Sequence, residues 1–165
     1  MPAHRARVDI VRATPDLAAQ LTRIAIAAKS YWGYPRRWIE HWTPQLTLSA
    51  AYVAANPTYV ALDEGRPAGF YALVLFPAAR RAQLDHLWLD PPSIGRGLGR
   101  TLFEHAMATA HAAGTRAVFL EAEPKAEPFY LHMGARRIGE STGEIDGQPR
   151  VLPLMEIDPL GGPAT

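Results

Sequence analysis

Apolar positions recur at two spacings along this chain, and the spacing assigns each element. Val8 to Val11 read as a short first strand. Thr14-Pro15-Asp16 then carries the residue types of a helix start: Thr14 as N-cap, Pro15 at the first helical position, Asp16 in the first turn. Leu17, Leu21, Ile24, Ala25 and Ala28 follow at helical spacing and predict one apolar face through about Lys29. The stretch "SYWGYPRRWIEHW" predicts a turn at Gly33 to Pro35 and a short helix from Pro35 to Trp42. A second small helix is expected over Leu48 to Ala55. Tyr59 to Leu62 and Gly69 to Phe76, joined by "DEGRP", predict a β-hairpin.

Gln83 to Leu89 is the next strand, stopped by Pro91-Pro92. Gly97 to Ala113 predicts a helix with Leu98, Leu102, Ala106 and Ala110 on one face and Gly114 as its C-cap. Ala117 to Ala122 is a further strand and Glu127 to Met133 a short helix. Arg136 to Gly139 with Arg150 to Ile157 makes a final strand pair. This order describes an α/β domain with a mixed (α+β) sheet and one central parallel βαβ unit. Without repeat, linker or low-complexity tract, one domain over residues 1–158 is expected, with 159–165 as a frayed tail.

Composition narrows the partners. The chain has 165 residues, 48% hydrophobic and 20% charged, as expected of a soluble globular protein. Seventeen basic against 16 acidic residues give a net charge of +1, and no basic tract exceeds a pair, which argues against a nucleic-acid binder. The absence of cysteine excludes disulfides, thiolate zinc sites and a cysteine nucleophile, and fits a cytoplasmic location. Residues 1–7 carry positive charge but no apolar run follows, so neither a signal peptide nor a membrane span is expected. His4, His41, His105, His111 and His132 show no ligand spacing with carboxylates, so no metal site is expected.

The stretch "SIGRGLGR", Ser93 to Arg100, is the chemical signal. It lies between a strand and a helix and places glycine at alternate positions. A helix starting near Gly97 turns its free N–H groups and positive dipole end toward the strand, which favours an anion, most often phosphate. Arg96 and Arg100 add charge suited to it. The plainer alternative is a glycine-rich turn with no ligand. A P-loop is excluded because no Gly-Lys occurs. A dinucleotide fingerprint fits in part: Gly95 and Gly97 match, Arg100 occupies the third glycine position, and Glu121 stands about where the acidic residue belongs. Only about 65 residues remain to complete such a domain.

Two stretches together, "HLWLDPPSIGRGLGRTLFEHA" and "FLEAEPKAEPFYLHMGARRIGE", resemble the GNAT N-acetyltransferase superfamily over about Leu84 to Glu140. In the family loop pattern (Q/R)-x-x-G-x-(G/A), Gly97 and Gly99 match, while Ile94 stands at the leading position. In the downstream pattern N-x-x-A-x-x-F-Y-x-x-x-G-F, Ala126, Phe129, Tyr130 and Gly134 match, while Glu123 replaces Asn and Ala135 replaces Phe. The resemblance implies the GNAT acyl-CoA N-acyltransferase fold, with splayed central parallel strands flanked by helices. It implies acetyl-CoA as co-substrate and direct transfer of acetyl to an amine.

Carried onto these positions, the resemblance implies that the backbone of Leu87, Trp88 and Leu89 pairs with pantetheine. The amides of Gly95, Arg96, Gly97, Leu98, Gly99 and Arg100 hold the pyrophosphate, and Tyr130 protonates the leaving thiolate. Transfer requires a neutral amine, and a free alkylamine has a pKa near ~10.4, so a base or a water chain takes its proton. Glu121 and Glu123 share one strand face at the carboxyl end of a parallel strand, and Asp85 and His86 interrupt an apolar strand. Glu121 or His86 is the expected base; the alternative for each is an ordinary hydrogen-bonded polar group. Trp32 and Tyr34 are the candidate acceptor-binding residues, against a role in closing the core. The expected acceptor is an amine of a small molecule or peptide, with no nucleic-acid or membrane partner, and a homodimer is compatible with the sequence. Two further readings stay open: a non-catalytic acyl-CoA-binding module and a dinucleotide-binding oxidoreductase.

Overall fold

The computed structural model describes residues 7–161. β1 (Val8–Arg12) leads through a 3-10 turn at Pro15–Leu17 into α1 (Ala18–Tyr31), α2 (Arg36–Leu46) and α3 (Ala50–Ala55). β2 (Thr58–Asp63), β3 (Arg66–Phe76) and β4 (Arg81–Leu89) form an antiparallel meander. α4 (Leu98–Ala112) crosses over to β5 (Ala117–Glu121), and α5 (Glu127–His132) precedes β6 (Arg136–Ile145) and β7 (Gln148–Ile157). All seven strands join one sheet in the order β1-β2-β3-β4-β5-β7-β6. This is the expected mixed α/β architecture, with β4 and β5 as its parallel pair.

The sheet buries both faces. Leu21, Ile24, Val60 and Phe70 pack under α1–α3, while Tyr71, Leu73, Leu102 and Phe103 pack under α4. Consecutive residues Phe70 and Tyr71 therefore belong to opposite cores, as strand alternation requires.

β4 is where the sheet is altered. Leu84 stands opposite Leu73 and His86 opposite Ala72, so Asp85 is an extra residue, a β-bulge. The bulge restarts the alternation: Ala82 and Leu84 face the α4 core, and so do Leu87 and Leu89. Asp85 and His86 both meet Tyr52 of α3, on the opposite face. This resolves the two polar residues in an otherwise apolar strand. A bulge also increases local twist. The parallel pairing of β4 with β5 covers only Arg81–Gln83 against Ala117–Phe119, beyond which the strands part.

Several expectations need adjustment. Thr14 and Pro15 do open a helical segment, but it is a 3-10 turn, and α1 begins at Ala18 rather than Pro15; the Thr14 side chain makes no cap bond, and its carbonyl accepts the Leu17 N–H at 3.0 Å. α3 begins at Ala50, where the Ser49 hydroxyl accepts the Tyr52 N–H at 3.0 Å, rather than at Leu48. α2 runs on to Leu46 through Pro44. β6 runs on to Ile145, well past the expected Gly139, while β7 starts at Gln148, just ahead of the expected Arg150, because Asp146-Gly147 makes a tight turn with φ of 57° and 72°. Of the tail expected to fray, Leu160 and Gly161 donate to Asp158 in a turn, and 162–165 lie outside the described residues. Residues 1–6, on which the reading of the N-terminus rests, also lie outside them. No helix among the described residues is long and apolar enough to cross a membrane.

Candidate active site

The parting of β4 and β5 opens an apolar cavity of about 310 Å³, lined by Leu84, Leu87, Leu89, Leu120, Phe129 and Tyr130 among others. One edge of β4 pairs with β3 through Leu89, while its other edge has no strand partner beyond Gln83. Asp90 N–H bonds the Ala68 carbonyl of β3 at 2.9 Å, so by alternation Trp88 is also turned to β3, while Leu87 and Leu89 offer backbone groups to whatever enters the gap.

At the mouth lies the glycine loop. Gly95 and Gly97 have φ of 87° and 79°, in the left-handed region where a side chain is strained. The first helical bond of α4 runs from Thr101 N–H to the Gly97 carbonyl at 3.2 Å, and among the described residues the amides of Gly95 to Arg100 donate to no backbone group. A Cβ on Gly99 would sit 3.6 Å from Leu89 and 3.7 Å from Phe129, narrowing the floor between loop and cavity. A row of free amides beside an apolar slot matches a molecule with a phosphate end and an elongated, largely apolar arm. The arginines do less than their charge suggests. Arg96 bonds Asp63 at 2.8 Å and ties the loop to the β2–β3 turn, and Arg100 pairs with Glu104 at 2.9 Å one helical turn on. Ile94, 40% exposed, lines the apolar cavity.

Tyr130 is buried and tilted against Phe103 and Phe129. No described buried side-chain polar atom is unpaired, and the Tyr130 hydroxyl has no protein partner, so it opens on the cavity it lines. Burial, and then the Glu123 charge, push its pKa well above the ordinary phenol value.

A second, polar cavity of about 490 Å³ lies on the α1–α3 side of the sheet. Asp85, Trp88, Glu121 and Glu123 line both cavities and form the wall where the two meet. Glu121 is exposed there and has no ion-pair or hydrogen-bond partner among the described residues. His86 also lines the polar cavity, but Trp88 Nε1 donates to its Nδ1 at 3.0 Å, which puts the proton of the neutral ring on Nε2. Its one basic nitrogen is occupied, and burial lowers its pKa despite the pull of Asp85.

Glu123 has a different role from its strand neighbour. Its carboxylate accepts from Lys29 Nζ at 2.5 Å, Tyr34 Oη at 2.5 Å, Lys125 N–H at 3.2 Å and Arg150 at 3.3 Å. Burial would raise its pKa, but Lys29, Tyr34 and the Lys125 amide together bring it below the ordinary value. It is an anchored carboxylate rather than a free base. Tyr34 is likewise engaged: Lys125, Arg150 and Lys29 lie 4.8, 5.0 and 5.2 Å from its ring centroid. Its aromatic face is occupied by the protein's own cations, and it lines neither of the two joined cavities; Trp32 lines the apolar one.

Sequence reasoning missed Lys29, Arg150 and the extension of the final strand pair beyond Gly139, where Ser141 to Glu144 form one side of the polar cavity. The hairpin is held there by Asp146, which accepts from Arg37 Nε at 2.7 Å and Trp38 Nε1 at 3.1 Å. The Asp-Gly pair at 146–147 was the available signal for the hairpin. Nothing in the spacing of Lys29 and Arg150 signals their meeting at Glu123.

Comparison with known proteins agrees with this geometry. The Acetyltransferase (GNAT) family profile matches residues 21–135. Two proteins named peptidyl-lysine N-acetyltransferase YjaB are similar: that of Salmonella typhimurium is 31% identical over 67% of this chain and 70% of its own length, and that of Escherichia coli is 30% identical over 74% and 77%. In fold, the chain resembles a GCN5-related N-acetyltransferase from Rhodopseudomonas palustris (TM-score 0.73, 22% identity, 96% of this chain and 98% of that one). It also resembles the PaiA N-acetyltransferase from Thermoplasma acidophilum, solved with coenzyme A (TM-score 0.71, 18% identity, 92% and 99%). The chain belongs to the GNAT acetyltransferase family and is an acyltransferase.

Proposed function

We propose that the protein is an acetyl-CoA-dependent N-acetyltransferase that transfers acetyl directly to a primary amine, with a lysyl side chain of a peptide as the leading acceptor. The observation that carries this reading is the meeting of two cavities of opposite character at one wall, with Tyr130 on the apolar side and Glu121 on both. The free loop amides, the unpartnered edge of β4 and the neighbour solved with coenzyme A support CoA on the apolar side. The similarity to two peptidyl-lysine acetyltransferases supports the acceptor.

Acetyl-CoA, when bound, supplies the thioester carbonyl to be attacked and the sulfur to be released. Glu121, unpaired and at the junction, takes a proton from the incoming ammonium, directly or through water. His86 has its basic nitrogen engaged by Trp88, so it positions that indole and the wall rather than moving the proton. The backbone N–H groups of Leu87 and Leu89, alternate positions on the open edge of β4, are the donors available along the gap. The Tyr130 hydroxyl lends its proton on the sulfur side; burial keeps it protonated until a stronger base forms beside it. The polar cavity, walled by the hairpin and α2, receives the acceptor, and we place a single catalytic domain over residues 1–158.

Thermal shifts with acetyl-CoA, CoA and NAD(P), followed by a free-thiol assay on a panel of lysyl peptides and small amines, test this. Shifts with both CoA species and thiol release with an amine are expected. A shift with NAD(P) alone overturns the reading, and a CoA shift without turnover on any amine favours a binding module.

A further inference from the structure

Of the chain's 17 basic residues only two are lysines, Lys29 and Lys125; the other 15 are arginines. Both lysines line the active-site cavities, Lys29 the polar one and Lys125 the apolar one. The distinction matters because an amine accepts an acyl group once it loses a proton, whereas guanidinium stays protonated.

The two lysines differ in what holds them. Lys29 has a 10% exposed side chain, sits 2.5 Å from the buried Glu123 carboxylate and lies 4.5 Å from the Trp42 ring centroid. Deprotonating it would break a buried ion pair, which is costly. Lys125 is exposed and has no carboxylate partner among the described residues; its Nζ donates to the Trp32 carbonyl at 2.7 Å. Trp32 lines the same cavity from the α1–α2 turn, so the Lys125 side chain bridges two segments of its wall. A neutral Lys125 amine leaves no buried charge behind. It stands on the α5 side of the cavity, five residues before Tyr130.

We propose that Lys125 is a self-acetylation site, modified in cis from acetyl-CoA bound in the cavity it lines. The inference rests on the reading of the chain as an acetyl-CoA-dependent acetyltransferase. The N–C bond forms between Lys125 Nζ and the acetyl carbon as the C–S bond of acetyl-CoA breaks. Of the two protons lost from the ammonium, one goes to solvent before attack and one ends on the CoA sulfur. Lys29, held by Glu123, stays unmodified.

The purified chain is incubated with acetyl-CoA and no acceptor, over a dilution series, and the product is mapped by peptide mass spectrometry. One acetyl group on Lys125 is expected, with a rate constant unchanged by dilution. Because the nucleophile is held at the cleft, the rate should exceed that of the urea-unfolded chain by at least about 100-fold. Lys125→Arg should abolish the modification. No modification, equal modification of Lys29, a rate proportional to protein concentration, or an equal rate in the unfolded chain would each overturn the proposal. Turnover of an external amine with Lys125 unmodified removes this inference and leaves the acetyltransferase reading standing. No thermal shift with acetyl-CoA and no turnover removes both.

Discussion

Lys29 and Glu123, 94 residues apart in sequence, meet at 2.5 Å with side chains only 10% and 7% exposed. The pair joins α1 to the segment after β5, at the wall where the two cavities meet. Burial pulls Lys29 below the ordinary lysine range more strongly than Glu123 pulls it back up. On Glu123 its several donors prevail. The pair therefore fixes position more than it adds net stability, but removing one partner strands the other. Glu123→Ala is expected to destabilise the fold by about 3–5 kcal/mol, read from urea unfolding. Lys29→Met combined with Glu123→Leu should cost less than the two single losses together. Because the Glu123 pKa is depressed on folding, its contribution is complete above the ordinary carboxylate pKa and is lost as pH falls through the lower folded value.

His86 makes a second pH prediction of the same sign from opposite chemistry. Its folded pKa is lowered, chiefly by burial, so the unfolded chain takes up a proton that the native ring refuses. Stability is therefore expected to fall as pH drops below the ordinary histidine value near ~6.5, by up to about 1.4 kcal/mol per pH unit from this residue. His86→Gln should flatten that slope in thermal unfolding between pH 7 and 5. An unchanged slope would mean that His86 takes up its proton as readily in the fold as in the unfolded chain.

Glu121, the last residue of β5, and Glu123, just beyond it, separate by substitution. Glu121→Gln is expected to lower kcat/KM for the acceptor by roughly 100-fold or more while leaving the CoA-induced thermal shift intact. Glu123→Gln should chiefly lower stability. Equal activity in wild type and Glu121→Gln would take the proton from Glu121 and return it to solvent.

Tyr130→Phe keeps the ring packed against Phe103 and Phe129 and removes only the hydroxyl. Turnover should fall by roughly 10²-fold while CoA affinity changes little, measured by steady-state thiol release and by calorimetry. A matched loss of affinity would make the hydroxyl a binding contact.

The glycines of the loop should respond in opposite directions. Gly97→Ala forces a side chain into φ 79° and should cost about 1–2 kcal/mol. Gly99 lies within α4, where an added Cβ meets Leu89 and Phe129 at ordinary contact distance. Gly99→Ala should stabilise the ligand-free fold by up to about 1 kcal/mol and weaken CoA binding by narrowing the cavity floor. Differential scanning fluorimetry with and without CoA separates the two effects.

The sequence by itself determined the element order, the parallel βαβ unit and the glycine loop, because each is written in local terms: apolar period, proline stops, and glycines before a helix. It also carried the family, through Gly97, Gly99 and Phe129-Tyr130 at their separation. Only the tertiary structure decided which charges remain available. Arg96 and Arg100, equal in sequence to phosphate ligands, are paired with Asp63 and Glu104. Glu121 and Glu123, equivalent by alternation, part company because Lys29 and Arg150 arrive at one and not the other. The bulge at Asp85 turns two adjacent polar residues to one face, and alternation along a strand cannot register an inserted residue without its partner strand. Local pattern sets the backbone's periodicity; pairing between distant side chains depends on where the sheet and helices bring them, and that is settled only when the chain has packed.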